Sequence, residues 1–408
     1  MSAAGIVIVG ASYAGLNAAT AARTAGYTLP LTLIGDEAHL PYQRPPLSKD
    51  FLRGSMDAGQ LPLRAASFFE NSQINLRTGV SVQSVDRASK TVTLGSGEQL
   101  GYDKLVLATG CRPRILSVPG ADAAGVHYLR TLDDALAIAR RLETSRSVAI
   151  VGGGFIGLEI AASVRRMAKA VTVVEAQARL LARALSAEMG NYIAGWHRRE
   201  GVSLYFNAQV KRFQVEGGQV IAVELADGKV LAADAVIVGI GVIPNKELAQ
   251  SAGLPCENGV VVDEHARTID PDIYAAGDCT SHPSAYARGM ARLECVQNAI
   301  DQGRVAGSNA AGANATYSVP PWFWSDQYEV KLQGVGISTG FDRIVMRGDM
   351  KADAFSMFYF AGCSLLAVES INKPGEHMLA RKLLAARVEL SDAQVADSAY
   401  DLRQALAR

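Results

Sequence analysis

The sequence predicts an α/β protein that contains two copies of one βαβ unit, followed by a C-terminal α+β domain. Three patterns support this prediction: a strand–glycine loop–helix–strand stretch that occurs twice, further strands that end in glycine, and alternating segments after residue 318. The chain has 408 residues. At roughly 100–200 residues per domain, this length fits two or three domains.

The first βαβ unit starts close to the beginning of the chain. Residues 5–10 are typical of a buried parallel strand that ends at a glycine, a helical pattern follows over 14–25, and 31–34 form the next apolar run. The second unit repeats this order, with a strand at 147–151, a helix to about residue 168 and a strand at 170–174. We interpret the repeat as a duplicated domain.

The second glycine loop is the complete one. Gly152, Gly154 and Gly157 form the pattern G-x-G-x-x-G. The first glycine permits a tight turn, the second lets a pyrophosphate approach the backbone, and the third lets the helix pack closely on the strand. The helix N-terminus that follows offers free N–H groups and the positive end of its dipole to phosphates.

The first loop has the same spacing at Gly10, Ser12 and Gly15, with a serine at the middle position. Each unit also carries an acid after its second strand, Asp36 and Glu175, where a ribose hydroxyl needs an acceptor. The alternative is a pair of tight turns in an α/β protein that binds no nucleotide. The strand, helix and acid around each loop favour two Rossmann-like, dinucleotide-binding domains.

A third signature indicates which dinucleotide binds first. Residues 268–276 form a strand-like run before Gly277 and Asp278. In flavoproteins with two dinucleotides, an aspartate at this point meets the ribitol chain of FAD; alone, a Gly-Asp pair is also an ordinary turn. Residues 102–110 and 234–241 are similar strand-to-glycine runs, which could return the chain between domains.

Several strings resemble those of the NADH-dependent ferredoxin reductases that serve bacterial oxygenases, within the flavoproteins that bind two dinucleotides. They lie at residues 41–49, 108–110, 152–159, 274–278, 294–299 and 321–327. The resemblance implies an architecture like that of glutathione reductase. An FAD-binding domain takes residues 1–112 and 241–318, an NADH-binding domain takes 113–240, and a C-terminal α+β domain takes 319–408.

The resemblance also implies the cofactor contacts. Asp36 holds the adenosine ribose of FAD, Arg130 contacts the flavin side and Trp324 covers part of the ring, although Trp322 and Trp324 could also be simple core residues. The full set for FAD is Gly10, Ser12, Ala14, Gly15, Asp36, Arg44, Lys49, Val82, Ala108, Thr109, Gly110, Arg130, Gly277, Asp278, Val296 and Trp324. The set for NADH is Gly152, Gly154, Phe155, Ile156, Gly157, Glu159, Glu175, Arg183 and Gly241.

Lys49 and Glu159 are the predicted catalytic residues. Glu159 follows Gly157 in the first turns of its helix, and Lys49 approaches from the flavin side, so we expect a charged pair at the nicotinamide–flavin contact. An ammonium there favours the negative charge that hydride transfer creates on the flavin. The alternative is an interdomain salt bridge with no kinetic role.

Glu175 predicts a preference for NADH over NADPH. Its carboxylate can accept hydrogen bonds from the ribose hydroxyls and would repel a 2′-phosphate. Arg179 and Arg183 weaken this prediction, because guanidinium groups can receive a phosphate. Their alternative role is a solvated helix start.

Composition excludes several other classes. Lys plus Arg and Asp plus Glu both number 40, so the whole chain has no net attraction for nucleic acid or an anionic membrane. No apolar run approaches the roughly 18 residues of a membrane span, and no signal peptide precedes the first strand. The five scattered cysteines indicate neither disulfides nor a metal site. We expect a cytoplasmic protein, either a monomer or a weak dimer.

The cysteines also predict how electrons leave. No cysteine pair lies near Lys49, so reducing equivalents leave the flavin directly, and the resemblance implies a [2Fe–2S] ferredoxin as the acceptor. Arg288, Arg292 and Arg304 could form a basic docking face on a helix over 287–307, or an ordinary solvated face. Alternative functions are rubredoxin reductase, NADH oxidase, or a binding flavoprotein like the apoptosis-inducing factors.

Overall fold

The computed structural model of the protein describes residues 4–407, with the Ala407 side chain excepted. Its first third contains eleven elements in chain order and two short 3-10 helices, Pro45–Ser48 and Ala58–Gln60. The elements are β1 (Ile6–Val9), α1 (Tyr13–Thr24), β2 (Leu31–Ile34), α2 (Ala66–Asn71), β3 (Asn75–Arg77), β4 (Val82–Asp86), β5 (Thr91–Leu94), β6 (Gln99–Gly101), β7 (Lys104–Leu107), β8 (Cys111–Pro113) and β9 (Val126–Tyr128).

The middle third contains the second βαβ unit. Its elements are α3 (Leu132–Thr144), β10 (Ser147–Val151), α4 (Phe155–Arg166), β11 (Ala170–Val174), α5 (Ala187–Arg199), β12 (Ser203–Tyr205), β13 (Val210–Glu216), β14 (Gln219–Leu225), β15 (Val230–Ala232), β16 (Ala235–Val238) and β17 (Val242–Pro244).

The last third returns to the first unit and then forms the C-terminal domain, ending in a 3-10 helix, Leu402–Ala407. Its other elements are α6 (Glu247–Ser251), β18 (Cys256–Glu257), β19 (Gly259–Val261), β20 (Ile273–Ala275), β21 (Thr280–Ser284), β22 (Gly289–Ala291), α7 (Val296–Ala310), β23 (Trp322–Gln327), β24 (Val330–Gly336), β25 (Arg343–Asp349), β26 (Ala354–Ala361), β27 (Ser364–Ile371), α8 (Pro374–Ala385) and α9 (Asp392–Ala396).

Two five-stranded parallel sheets form the core of the molecule. The first has the order β20-β7-β1-β2-β3, and the second has the order β12-β11-β10-β16-β9. Their central strands are runs of valine, isoleucine and alanine that are buried throughout, as expected for parallel strands covered on both faces. The duplicated βαβ unit is therefore confirmed, and the predicted strands at 31–34, 147–151 and 170–174 coincide with β2, β10 and β11.

Helices α1 and α7 pack closely against each other beside the first sheet. A Cβ atom added at Gly303 would lie 2.5 Å from the carbonyl oxygen of Ala14, and one added at Gly307 would lie 2.0 Å from that of Ala18. Both distances are far below van der Waals contact, so this approach requires glycine at both positions of α7.

A two-stranded antiparallel ribbon connects the two parallel-sheet units. It pairs β8 with β17, each of which follows a strand-to-glycine run. Gly110 precedes β8 and Gly241 precedes β17, both with positive φ angles. The domain boundaries proposed near residues 112 and 241 lie at this ribbon.

The C-terminal domain is a five-stranded antiparallel sheet of order β23-β24-β27-β26-β25 with helices packed on it. This confirms the predicted α+β character. One apolar core joins the sheet to the second unit, with Phe355 and Met357 of β26 buried together with Met189 and Ile193 of α5. Within this sheet, Tyr328, at φ 55°, turns the chain between β23 and β24.

The predicted helix over 287–307 is wrong in its first half. Residues 289–291 form β22, which pairs with β21, and Arg288 lies in the turn between them at φ 54°. The hairpin uses the backbone groups that a helix would need, so α7 begins only at Val296. Between residues 4 and 407, no helix is long and apolar enough to cross a membrane.

Candidate functional site

The first glycine of each loop makes the tight turn that the sequence predicts. Gly10 has φ 112° and Gly152 has φ 109°, in the region that favours glycine. A Cβ atom at these positions would lie 2.0 Å from the carbonyl oxygen of Ala108 and 2.3 Å from that of Gly239. Each turn therefore lies against the end of a neighbouring parallel strand, β7 in the first unit and β16 in the second.

The third glycine of each loop lets the helix approach its own loop. A Cβ atom at Gly15 would lie 1.8 Å from the carbonyl oxygen of Gly10, and one at Gly157 would lie 2.3 Å from that of Gly152. A Cβ atom at Gly154, by contrast, would meet nothing within 4 Å. The second loop therefore faces open space at its middle position, as a phosphate cradle requires.

The helices after the two loops begin without a side-chain cap. Ser12 and Gly154 are the N-cap residues of α1 and α4, and neither makes a side-chain capping bond. Thr131 and Ser186, in contrast, cap α3 and α5. The first turns of α1 and α4 thus keep N–H groups available for an anion. This donor chemistry fits dinucleotide phosphates.

The two predicted ribose acceptors differ in their surroundings. Glu175 directly follows β11, and its carboxylate accepts N–H bonds from Gly153 at 2.6 Å and Gln177 at 2.7 Å. Asp36 is exposed and lies one residue further along its unit than Glu175 does, since Gly35 holds the equivalent backbone position. The structure therefore places Glu175 against its loop and Asp36 in solvent.

Arg44 lies beside the first loop, where it is held by an acid that the sequence prediction missed. Its guanidinium lies 2.5 Å from Glu37 and donates to the Arg130 carbonyl at 2.5 Å, with Nε 3.4 Å from the Ser12 hydroxyl. Tyr42 also donates to Glu37, at 2.5 Å. The available signal was an acid beside Asp36 and an arginine in the proline-rich segment.

Asp278 and Arg130, both predicted flavin contacts, lie next to each other. Their side chains lie 3.3 Å apart, and the Cys111 thiol donates to the same Asp278 oxygen at 3.3 Å. Gly110 lies alongside, because a Cβ atom there would be 3.2 Å from Arg130 Nη2. Burial, followed by the charge of Asp278, raises the pKa of the Cys111 thiol. This cluster sits where β7 and β20 end, at the edge where α/β proteins bind ligands.

The other predicted flavin contacts occupy separate elements. Thr109 donates to the Asn245 carbonyl at 2.5 Å, Val82 starts β4 and packs on an apolar core, and Val296 starts α7. Trp324 is half-buried on β23 with its ring 5.7 Å from that of Trp322. Residues Ala14, Ala108 and Gly277 line the α1–β7–β20 edge, where a Cβ at Gly277 would lie 3.1 Å from Ala14 Cβ.

The two arginines after β11 have different surroundings. Arg179 donates to the carbonyls of Ala182 at 3.0 Å and Ser186 at 3.1 Å, so it shapes the loop before α5. Arg183 is exposed, and a Cβ atom at Gly241 would lie 3.1 Å from its Nη2. Neither residue belongs to a helix start, because α5 begins at residue 187. Arg183 therefore stays available to a nucleotide.

Lys49 and Glu159 form the predicted ion pair. Lys49 Nζ lies 2.6 Å from Glu159 Oε2, and the Ser48 hydroxyl donates to the same oxygen at 2.6 Å. Ser325 of the C-terminal domain donates to Glu159 Oε1 at 2.7 Å. Both charged side chains are largely buried, at 12% and 7% exposure. The pairing is confirmed, whereas Ser48 and Ser325 were not predicted.

Comparison with known proteins identifies the class. The family model for pyridine nucleotide-disulphide oxidoreductases matches residues 4–303, and the model for the C-terminal domain of reductases matches residues 322–406. The chain therefore belongs to the pyridine nucleotide-disulphide oxidoreductase family, in which binding of FAD and a pyridine nucleotide is implied.

Individual relatives narrow the class. Rhodocoxin reductase of Rhodococcus erythropolis is 46% identical over 403 residues, covering 99% of this chain and 94% of its own. The ferredoxin reductase for the CYP199A2 system of Rhodopseudomonas palustris is 40% identical at a TM-score of 0.96, over 98% and 99% of the two chains. A chain of the covalent putidaredoxin reductase–putidaredoxin complex is 38% identical at 0.96, over 100% and 99%. Within its family, the protein belongs to the ferredoxin reductases of bacterial oxygenase systems.

Proposed function

We propose that this chain takes hydride from NADH onto FAD and passes the electrons singly to a [2Fe–2S] ferredoxin. The observation that carries the proposal is the Lys49–Glu159 pair, whose charged atoms lie 2.6 Å apart. Lys49 follows the 3-10 helix of the first unit, and Glu159 lies in the first turns of α4, just after the second glycine loop. The pair thus joins the two units, with one residue from each.

The surrounding residues fit one dinucleotide in each unit. The Gly10 loop and the start of α1 are proposed to hold the FAD pyrophosphate, with Asp278 and Arg130 toward the ribitol and flavin. The Gly152 loop, the start of α4 and Glu175 are proposed to hold NADH. When bound, the flavin accepts a hydride and releases its electrons one at a time.

The chain's own contribution at the junction is electrostatic. We infer that the Lys49 ammonium stabilises the negative charge that develops during hydride transfer. Glu159 holds that ammonium, and the hydroxyls of Ser48 and Ser325 satisfy its remaining acceptor sites at 2.6 and 2.7 Å. The arrangement orients Lys49 through a carboxylate that is itself fixed from two domains.

The thiols support direct exit of electrons to an external carrier. All five cysteines are free. Cys295, at the N-cap position of α7, is half-buried, and loss of solvation raises its pKa to about 12. Burial raises the pKa of Cys111, beside Asp278, as well. Because both groups stay protonated thiols, neither offers the thiolate that a thiol relay or a cysteine-dependent oxidase needs.

NADH-driven cytochrome c reduction, with and without added carrier, tests the proposal. We expect little reduction without carrier and strong stimulation by a small [2Fe–2S] ferredoxin, with ferricyanide reduction as a carrier-independent control. Stimulation by rubredoxins alone would assign rubredoxin reductase. Rapid oxygen consumption without carrier would assign NADH oxidase. Equal slow turnover under all conditions would favour a binding flavoprotein.

A further inference from the structure

A chain of buried hydrogen bonds runs from the Lys49–Glu159 pair into the C-terminal domain. Ser325 donates to Glu159 Oε1 at 2.7 Å, and Gln327 Nε2 donates to the Ser325 hydroxyl at 3.0 Å. Gln327 Oε1 lies 2.9 Å from Nε2 of His197, whose Nδ1 lies 3.2 Å from the Tyr328 hydroxyl. Ser325 and His197 are 0% exposed.

The Glu159 carboxylate at one end fixes which group donates and which accepts in every hydrogen bond of the chain. A carboxylate only accepts, so the hydroxyl of Ser325 donates to it and its oxygen must accept from the Gln327 amide. The Gln327 carbonyl then faces His197, whose Nε2 carries the proton, and Nδ1 accepts from Tyr328. Burial lowers the pKa of His197 to about 4, which agrees with a neutral imidazole.

The chain spans two parts of the molecule. Glu159 and His197 lie on α4 and α5 of the second unit, whereas Ser325 and Gln327 lie on β23 and Tyr328 follows it. The other oxygen of Glu159 receives Lys49 and Ser48. Strand β23 therefore binds one oxygen of the Glu159 carboxylate, and the first unit binds the other.

We propose that Gln327 and His197 are positioning residues for hydride transfer. They act through Ser325: without the Gln327 N–H bond, the Ser325 hydroxyl is free to rotate away from Glu159, and the carboxylate no longer holds Lys49 in one place. Each of these neutral hydrogen bonds adds only modest net stability, because it replaces bonds to water, so a role in geometry accounts for the buried polar side chains. The inference rests on the proposed function of the Lys49–Glu159 pair.

Stopped-flow reduction of the FAD-loaded enzyme by NADH tests the inference. Gln327→Leu and His197→Phe should each slow hydride transfer by about 10- to 100-fold, the scale expected of a misplaced catalytic group. NADH affinity and FAD content should stay within about twofold, because neither residue contacts the nucleotide loops. His197→Gln, which keeps both a donor and an acceptor, should recover most of the rate.

A matched control distinguishes the positioning role of His197 from the effect of removing any buried imidazole. His282 is also buried, and within the described chain neither of its ring nitrogens has a hydrogen-bond partner. His282→Leu should therefore leave the hydride-transfer rate within about twofold. An equal slowing in His282→Leu and His197→Phe, or a folded Gln327→Leu enzyme at the normal rate, overturns the proposal.

A measurement on the unmodified enzyme keeps the proposal testable if the variants fail to fold. Nitrogen-15 NMR of histidine-labelled holoenzyme should show His197 neutral, with its proton on Nε2, from pH 5 to 8. A protonated ring or an Nδ1–H tautomer overturns the direction of the chain. If Lys49→Met leaves hydride transfer unchanged, the proposed function of the pair fails. If Lys49→Met is slow and Gln327→Leu is normal, only the positioning role fails.

Discussion

At the scale of single residues, the Lys49–Glu159 pair is a buried ion pair whose carboxylate accepts from several donors. Taking two charges out of water is costly, and their attraction repays this only when the geometry is good and the remaining sites are hydrogen-bonded. Glu159 meets that condition with three donors, from Lys49, Ser48 and Ser325. Removing either charge leaves the other buried and unpaired, so variants change both geometry and electrostatics.

Lys49→Met should slow reduction of the bound flavin by NADH by about 10- to 1,000-fold, the range seen when one preorganised donor is removed. Stopped-flow absorbance at the flavin band measures this. Arg77→Met is the matched control, because it breaks an Arg77–Glu98 pair that lies 2.7 Å apart at the surface. Surface pairs contribute about 0–1 kcal/mol, so the control should reduce normally. A normal rate in Lys49→Met would leave the pair as a structural bridge.

Glu175→Gln should reduce the preference for NADH over NADPH. In the native protein, a 2′-phosphate about 4 Å from this carboxylate is disfavoured by roughly 1–4 kcal/mol, which is at least several-fold. The ratio of kcat/KM for the two nucleotides is the measurement. Glu216→Gln, at an exposed acid on β13, should leave the ratio unchanged. If the native enzyme uses both nucleotides equally, the positive charge of exposed Arg183 offsets the repulsion between Glu175 and the 2′-phosphate.

At the scale of elements, the α1–α7 contact shows how glycine sets the position of the first loop. The carbonyl of Ala18 occupies the place where a Cβ atom of residue 307 would stand, 2.0 Å away. Because backbone cannot move aside cheaply, a methyl group there must push the two helices apart. Helix α1 begins at the Gly10 loop, so such a shift also reaches the proposed phosphate site.

Gly307→Ala should destabilise the protein by about 1–3 kcal/mol and loosen FAD, because it overpacks the helix contact. Gly195→Ala on α5 is the opposite control, since a Cβ atom there would meet nothing within 4 Å. Alanine in an open helical position stabilises by about 1 kcal/mol relative to glycine. Thermal unfolding and flavin release measure both effects, and two changes of the same sign would refute this packing argument.

The elements also show what the sequence could predict. Strands β2, β10 and β11 were located to the residue, because a short apolar run between glycine and polar residues is a local signal. The prediction of a helix over 287–307 failed because the β21–β22 hairpin depends on strand pairing, which helical periodicity does not encode. In the site, Lys49 and Glu159 were predicted from motifs. Ser325 was not, because its 2.7 Å contact joins residues far apart in sequence.

At the scale of the whole molecule, the C-terminal domain is bound to the second unit by a buried acid. Tyr359 donates to Glu369 at 2.5 Å, and its hydroxyl oxygen lies 2.9 Å from the hydroxyl of Ser186, the N-cap of α5. Burial raises the pKa of Glu369 to about 7, and the nearby charges of Arg179 and Glu188 oppose each other there. The domain junction therefore contains a carboxyl group that prefers to be neutral.

The raised pKa of Glu369 predicts that the stability of the folded protein falls as pH rises. The folded pKa of Glu369 exceeds the ordinary value of 4.5, so its stabilising contribution is complete below that value and is lost as pH rises through 7. Glu369→Gln imitates the neutral acid and should be more stable than the native protein at pH 8, by up to about 3 kcal/mol. At pH 5 the difference should shrink. Thermal unfolding at both values is the measurement, and a pH-independent difference would contradict the shift.

Docking of a ferredoxin also belongs to this scale, because the formal net charge of zero gives no overall steering field. The three arginines expected on one helix face do not share one. Arg304 alone lies on α7, with 61% of its side chain exposed and Asp301 at 3.3 Å. Arg292 is 11% exposed and bound to Glu294, and Arg288 lies in a turn. A basic patch, if it steers, must therefore combine residues of different elements.

Raising the ionic strength should slow ferredoxin reduction while leaving hydride transfer from NADH nearly unchanged, because screening acts on exposed charges over a Debye length of about 10 Å at 0.1 M. Arg304→Glu should raise the KM for an acidic ferredoxin and spare turnover with ferricyanide. Lys229→Glu, an exposed reversal in the β14–β15 turn, should change neither. Equal effects of the two reversals would place the acceptor's contact away from α7. A salt-independent KM would mean that apolar contact, in place of charge, selects the partner.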